Sequence, residues 1–223
     1  MLFRSPTQIL TGFVFCLGLI LVVLGGAELF TGCNLTVGMA AFSGEVRPAG
    51  LLRQWILCYL GNFLGALALA ALWVGSGLWQ QAGGEWAARA VAIADAKTGL
   101  AFWPALLRGI GCNVLVCLAV LFAAGAEGTT GKILAVIFPV TAFAALGFEH
   151  SVANMFYLPA GLWLARLRPD LAAPHLNALS ILYNLVPVTL GNIIGGAFLV
   201  GGSYWWASVL PSSCPGKGTG KGI

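Results

Sequence analysis

Apolar residues occur in blocks close to the roughly 20 residues needed to cross a bilayer, and short glycine-rich or polar stretches close or interrupt each block. Residues 9–26 form the first block. It meets Gly25-Gly26-Ala27-Glu28-Leu29-Phe30-Thr31-Gly32, where glycines flank an acidic residue at membrane depth, so a break in the helix is expected there. A shorter apolar piece, residues 35–42, ends at a polar loop over 43–48. Residues 51–75 read as an unbroken span, and residues 76–98, with Glu85, Arg89, Asp95 and Lys97, as a loop or amphipathic connector. Residues 100–126 form another span, in which Arg108 and Asn113 require one face to look at protein or water. Residues 133–146 are too short to cross alone; they run into Gly147-Phe148-Glu149-His150-Ser151-Val152-Ala153-Asn154 and resume at 155–167, again two half-helices around a break. The last span is residues 179–210, punctuated by Pro187 and several glycines. Residues 1–211 thus read as one transmembrane domain of about five spans, two of them discontinuous, and residues 212–223 as a flexible tail.

Two local similarities order these blocks. Ala27-Glu28-Leu29 matches Phe148-Glu149-His150, and Leu60-Gly61-Asn62-Phe63-Leu64-Gly65 matches Leu190-Gly191-Asn192-Ile193-Ile194-Gly195. In each half a broken helix with a glutamate precedes a helix bearing Leu-Gly-Asn-x-x-Gly, which places Asn62 and Asn192 at corresponding structural positions. Repeats with discontinuous helices in matching places point to a transport site near the bilayer midplane at the repeat interface. The second half has a full span ahead of its broken helix and the first half has none, so the repeat predicts one more helix upstream of Met1. An in-frame apolar segment of about twenty codons before Met1 would confirm that expectation, and a stop codon there would refute it.

Composition supports a membrane protein. The chain has 59% hydrophobic and 8% charged residues with a mean hydropathy of +0.93, against roughly 25% charged residues in soluble domains. The eleven basic residues are scattered at span edges and in the tail, and a net charge of +4 without clustering excludes a nucleic-acid partner. Arg4 before an apolar stretch imitates a signal peptide, but no small-residue cleavage site follows, so a retained span is expected. Basic residues fall on both sides under simple alternation, which leaves the orientation open. Cys16, Cys33, Cys58, Cys112, Cys117 and Cys214 show no metal-type spacing, and five of them lie in or beside apolar spans, where cysteine acts as a small hydrophobe. No metal and no cofactor is expected.

Ionisable groups at membrane depth cost about 2.5–3.5 kcal/mol even on a permissive scale, so Glu28, Glu149 and His150 stand out as functional candidates. Each glutamate can either cap a half-helix by accepting backbone N–H bonds or face a pathway. For His150 a pore-lining donor is favoured over a satisfied core histidine. Thr31, Asn113, Ser151 and Asn154 are the neutral hydrogen-bonding groups expected around it, either as pathway groups or as ordinary helix–helix contacts. Half-helix N-termini would aim N–H groups and positive dipole ends at the same centre, which suits an anion.

Four segments together resemble the formate/nitrite transporter family: Gly26-Ala27-Glu28-Leu29-Phe30-Thr31-Gly32, Cys112-Asn113-Val114-Leu115-Val116-Cys117-Leu118-Ala119, Gly147-Phe148-Glu149-His150-Ser151-Val152-Ala153-Asn154-Met155 and Pro187-Val188-Thr189-Leu190-Gly191-Asn192-Ile193-Ile194-Gly195-Gly196. The resemblance implies an all-α integral membrane fold, an aquaporin-like inverted-repeat helical bundle with its second and fifth helices broken. It also implies a homopentamer in the lipid bilayer of the inner membrane, with one pore per subunit. Family roles would fall on Thr31 in the first break, Lys97 in a vestibule, Asn113 beside the central histidine, and His150 itself. The apolar constrictions would include Phe15, Leu19, Leu29, Phe30 and Phe143. Cys33 departs from the pattern, since many relatives have asparagine there.

The function implied is passage of small monovalent weak-acid anions, formate first, with proton coupling at His150; it is transport and not an enzymatic activity. Nitrite or hydrosulfide are the alternatives within the family. A neutral-solute channel of aquaporin type fits less well because the paired Asn-Pro-Ala signature is absent. A haem-bearing anchor would need His150 and His175 on facing helices, and His175 follows Pro174 in a polar connector.

Overall fold

The structure is a computed structural model and describes residues 6–209. The expected tail at 212–223, with Cys214, lies outside the described residues, as does Arg4. All elements among the described residues are helical: α1 (Pro6–Gly25), α2 (Phe30–Phe42), α3 (Pro48–Gly75), α4 (Glu85–Thr98), α5 (Phe102–Gly125), α6 (Gly128–Leu146), α7 (Ser151–Leu167) and α8 (Ala178–Ile193). The backbone continues beyond α8 in the wider π form over Ile194–Gly202. Among the described residues five helices are long and apolar enough to cross a membrane, the last of them counted as α8 together with its π-helical continuation (Ala178–Ala207), while α2 is a shorter apolar helix.

Both expected breaks are present, and local backbone chemistry explains them. After α1, Gly26 takes a positive φ of 66°, and Leu29 is extended before α2 begins. Gly147 closes α6 in the left-handed conformation, which costs a residue without Cβ little. His150 is extended before α7. The second pieces start earlier than hydropathy predicts. Thr31, Cys33 and Asn34 belong to α2 rather than to a loop because all three turn inward and are buried. In the same way α7 begins at Ser151, and α6, beginning at Gly128, is long enough to cross, contrary to the expectation of a piece too short to do so. The connector before α5 is two 3₁₀ turns followed by α4.

Packing follows the repeat. Helix α5 lies along α8, α1 along α6, and α7 between α3 and α4, while α2 rests on the π-helical segment. The α5–α8 crossing is close because both helices present glycine. A Cβ at Gly109 would sit 2.7 Å from the Val188 carbonyl, and one at Gly191 or Gly195 would collide with the backbone at Leu106 or Ile110. Such small-residue contacts let dispersion and backbone polarity hold helices where no hydrophobic driving force operates. The matching glycines of the first copy are placed differently: Gly61 and Gly65 have nothing within 4 Å of a built Cβ and instead wall a cavity.

These environments predict opposite effects from identical substitutions. Gly191→Ala should destabilise the purified protein by about 1–3 kcal/mol through overpacking. Gly65→Ala should raise stability by up to about 1 kcal/mol through helix propensity alone. Thermal unfolding in detergent checks the pair.

Candidate functional site

A helix that stops inside a membrane leaves backbone groups without partners, and in both halves one asparagine supplies them. Asn62 Oδ1 accepts from Phe30 N at 2.8 Å while its Nδ2 donates to Glu28 O at 3.0 Å. Asn192 Oδ1 accepts from Ser151 N at 2.9 Å while its Nδ2 donates to Glu149 O at 3.1 Å and to Gly109 O at 2.8 Å. In each half the amide spans the same three-residue step, from the glutamate carbonyl to the N–H two residues on. The Leu-Gly-Asn-x-x-Gly repeat is therefore the clamp of the helix break. The glutamates do not cap through their carboxylates; the asparagines 34 and 43 residues later hold the two breaks.

The glutamate side chains do something else. Glu149 receives both oxygens' worth of contact from Lys97 Nζ, 2.9 Å each, and accepts from Asn154 Nδ2 at 2.7 Å. Their side chains are 4% (Glu149) and 17% (Lys97) exposed. Lys97 is thus not a free vestibule cation: it neutralises a buried carboxylate one residue before His150. Asn184 extends this network, accepting from Asn154 Nδ2 at 2.8 Å and donating to the Lys97 carbonyl at 2.8 Å. In the first half the residue five after the glutamate is Cys33 rather than asparagine, and its thiol donates to Glu28 Oε2 at 2.7 Å.

His150 caps α7. Its Nδ1 accepts from Ala153 N at 3.1 Å, so the ring proton resides on Nε2, which donates to Thr31 Oγ1 at 3.1 Å. That contact joins the first turns of α2 and α7 and brings the positive ends of two half-helices to one point. Asn113 sits one step back, donating to the carbonyls of Thr31 (3.2 Å) and Asn192 (2.6 Å) rather than to the imidazole. Ser151 and Asn154 are fully buried behind His150.

A cavity of about 450 Å³ opens in front of the imidazole. Phe15, Leu19, Leu29 and Phe143 all line it together with Val116 and Val140, opposite Gly61 and Gly65 of α3. Phe15 and Phe143 meet edge to face at 5.7 Å, and Phe143 stacks over His150 at 6.0 Å. Phe30 is not brought to this cavity. Its ring packs edge to face on Tyr59 at 4.9 Å, in a cluster with Cys33 and Cys58, because Phe30 follows the break and turns to the far side of α2. His175 lies away from His150, exposed and paired with Asp95 at 3.2 Å, so the two histidines do not face each other as haem ligands would.

Asn184 and Asn34 are not among the residues expected from sequence. Both are buried, and a lone amide inside an apolar helix is the signal that marks them.

The clamps predict unequal costs. Asn192→Ala strips the Ser151 N–H and the Glu149 carbonyl of their clamp and removes a third bond, to Gly109 O, and should cost about 3 kcal/mol, whereas the half-buried Asn62→Ala should cost about 1 kcal/mol; detergent unfolding curves compare them. For the ion pair, Lys97→Met should cost about 3–5 kcal/mol by stranding Glu149, and Lys97→Met with Glu149→Gln should recover most of it. A double-mutant cycle on the same unfolding signal measures this.

The profile of the formate/nitrite transporter family matches residues 2–206. The formate channel FocA of Haemophilus influenzae is 39% identical over 210 residues, covering 87% of this chain and 72% of that protein. The formate channel FocA of Escherichia coli K12 is 38% identical over 213 residues, covering 89% and 73%. A solved pentameric formate channel with formate bound superposes with a TM-score of 0.81 at 35% identity, covering 91% of this chain and 84% of that one.

Proposed function

Because the chain belongs to the formate/nitrite transporter family, and is thus a multi-pass inner-membrane channel protein and not an enzyme, we propose that it conducts small monovalent weak-acid anions, formate first. We place the pathway in each protomer of a homopentamer. The similarity to a pentameric formate channel with formate bound supports both the substrate and the assembly. The observation that carries the reading is the meeting of two half-helix N-termini at the Thr31–His150 contact, with His150 on the wall of a largely apolar cavity.

Magnitudes set the mechanism. Moving a bare carboxylate-sized ion into a low-dielectric constriction costs on the order of 20 kcal/mol in the Born limit, and several kcal/mol even after relaxation. Protonating an acid of pKa about 3.5 at pH 7 costs about 5 kcal/mol, at ~1.36 kcal/mol per unit. Crossing the ring of Phe15, Leu19, Leu29 and Phe143 in a neutral or proton-sharing form is therefore the cheaper route. His150 supplies the donor through Nε2, and the helix termini favour the negative charge before and after the crossing. Lys97 takes part by cancelling the charge of Glu149, which would otherwise repel an anion beside His150.

Proteoliposome uptake of formate, nitrite and hydrosulfide across a pH series tests the reading. Formate should enter fastest. His150→Phe removes both donor and cap and should abolish most of the flux, whereas His150→Asn keeps a good N-cap and a donor but cannot titrate, and should retain flux with an altered pH profile. An unchanged profile in both variants would count decisively against a role for His150.

A further inference from the structure

The internal repeat puts the same chemistry question to both halves and receives different answers. Glu149 has a cation, Lys97, and an amide donor, Asn154. Glu28, its counterpart, forms no ion pair among the described residues, and the amide position is taken by Cys33. Behind Cys33 stands Cys58, with the two sulfurs 3.4 Å apart. One ligand atom from each of Glu28, Cys33 and Cys58 lies within 4.8 Å of the other two. Sequence spacing conceals this group, since Cys58 comes from the next helix. The cysteines are buried and the glutamate is exposed, and Glu28 and Cys33 border a second cavity of about 320 Å³.

We propose that Glu28, Cys33 and Cys58 form a binding site for a thiophilic divalent cation of the Zn²⁺ type, with the fourth position open to the cavity. Two thiolates and one carboxylate match the donor preference of such an ion. Bond lengths of about 2.3 Å to sulfur and 2.0–2.2 Å to oxygen put tetrahedral ligand sulfurs about 3.8 Å apart and a sulfur and oxygen about 3.5 Å apart. The observed 3.4 Å and 2.7 Å separations reach these values by outward shifts below an ångström, within the freedom of a glutamate and two cysteine rotamers. Binding releases the two thiol protons to water. The ion then gives Glu28 a direct cationic partner, as Lys97 does for Glu149, while the two thiolates keep the net charge of the site at −1.

The test uses the full chain with Cys214→Ser, purified in detergent with a non-chelating phosphine reductant, and titrated with Cd²⁺ and Zn²⁺. One Cd²⁺ per chain should bind with a thiolate-to-metal charge-transfer band in the ultraviolet, and excess Zn²⁺ should remove the band by displacing Cd²⁺. Cys33→Asn, which installs the residue found at the equivalent position 154, and Cys58→Ser should each lose the band. Glu28→Gln should weaken binding by at least the ~10–100-fold typical even of groups that only support a ligand. Cys16→Ser should change nothing. Retention of the band in the Cys33→Asn, Cys58→Ser double variant, or its absence from the parent chain under reducing conditions, overturns the assignment. The readout needs no anion gradient, so it stands or falls separately from formate conduction.

Discussion

Lipid offers a backbone amide nothing, and an unsatisfied polar group in the hydrocarbon costs several kcal/mol. Two helices of this protein nevertheless stop at membrane depth, and the rest of the architecture is arranged around that cost. Each interruption is spliced by a single asparagine from the following helix, reaching the carbonyl before the break and the N–H after it. Only with those groups satisfied can the freed helix ends be turned toward a shared cavity, and only then can Thr31 and His150 come within hydrogen-bonding distance. The clamp precedes the site in the logic of the fold: Asn192 is buried behind it and Asn62 stands on the cavity wall itself.

The two halves use one backbone solution and different side chains. The second is the more heavily built: its clamp also grips α5 through Gly109, its glycines are pressed against that helix, and its glutamate lies in a network of a lysine and two asparagines. The first half is lighter. Its clamp makes two bonds, its glycines face a cavity, and its glutamate is met by a thiol. Sequence symmetry here specifies backbone geometry, while the departures from symmetry assign the chemistry.

How much was legible follows from the range of each interaction. The breaks, the repeat and the polar island at His150 are written in adjacent residues, and the family pattern joins them into a fold. The starts of α2 and α7 leave a weaker trace, because hydropathy reads Thr31 and Asn34 or Ser151 and Asn154 as loop when they are helical residues turned inward. Contacts between distant helices left no local trace: Lys97 with Glu149 across 52 residues, Asn184 with Asn154 across 30, and Cys33 with Cys58 across 25. Phe30 shows the same limit in reverse. Leu29, just before it, lines the cavity, but the ring of Phe30 packs instead on Tyr59 beside Cys33 and Cys58.

The cap made by His150 has a consequence for any proton that visits the ring. Nδ1 offers one lone pair, and Ala153 N–H already occupies it. A second proton on the imidazole and the first turn of α7 therefore compete for the same electrons. With the turn intact the ring can lend a hydrogen bond from Nε2 and take it back; to give a proton away it must first have accepted one at Nδ1, which requires the turn to loosen. Acid–base chemistry at this histidine is thereby mechanically coupled to the end of a helix, and the ring cannot change its charge without the backbone registering it.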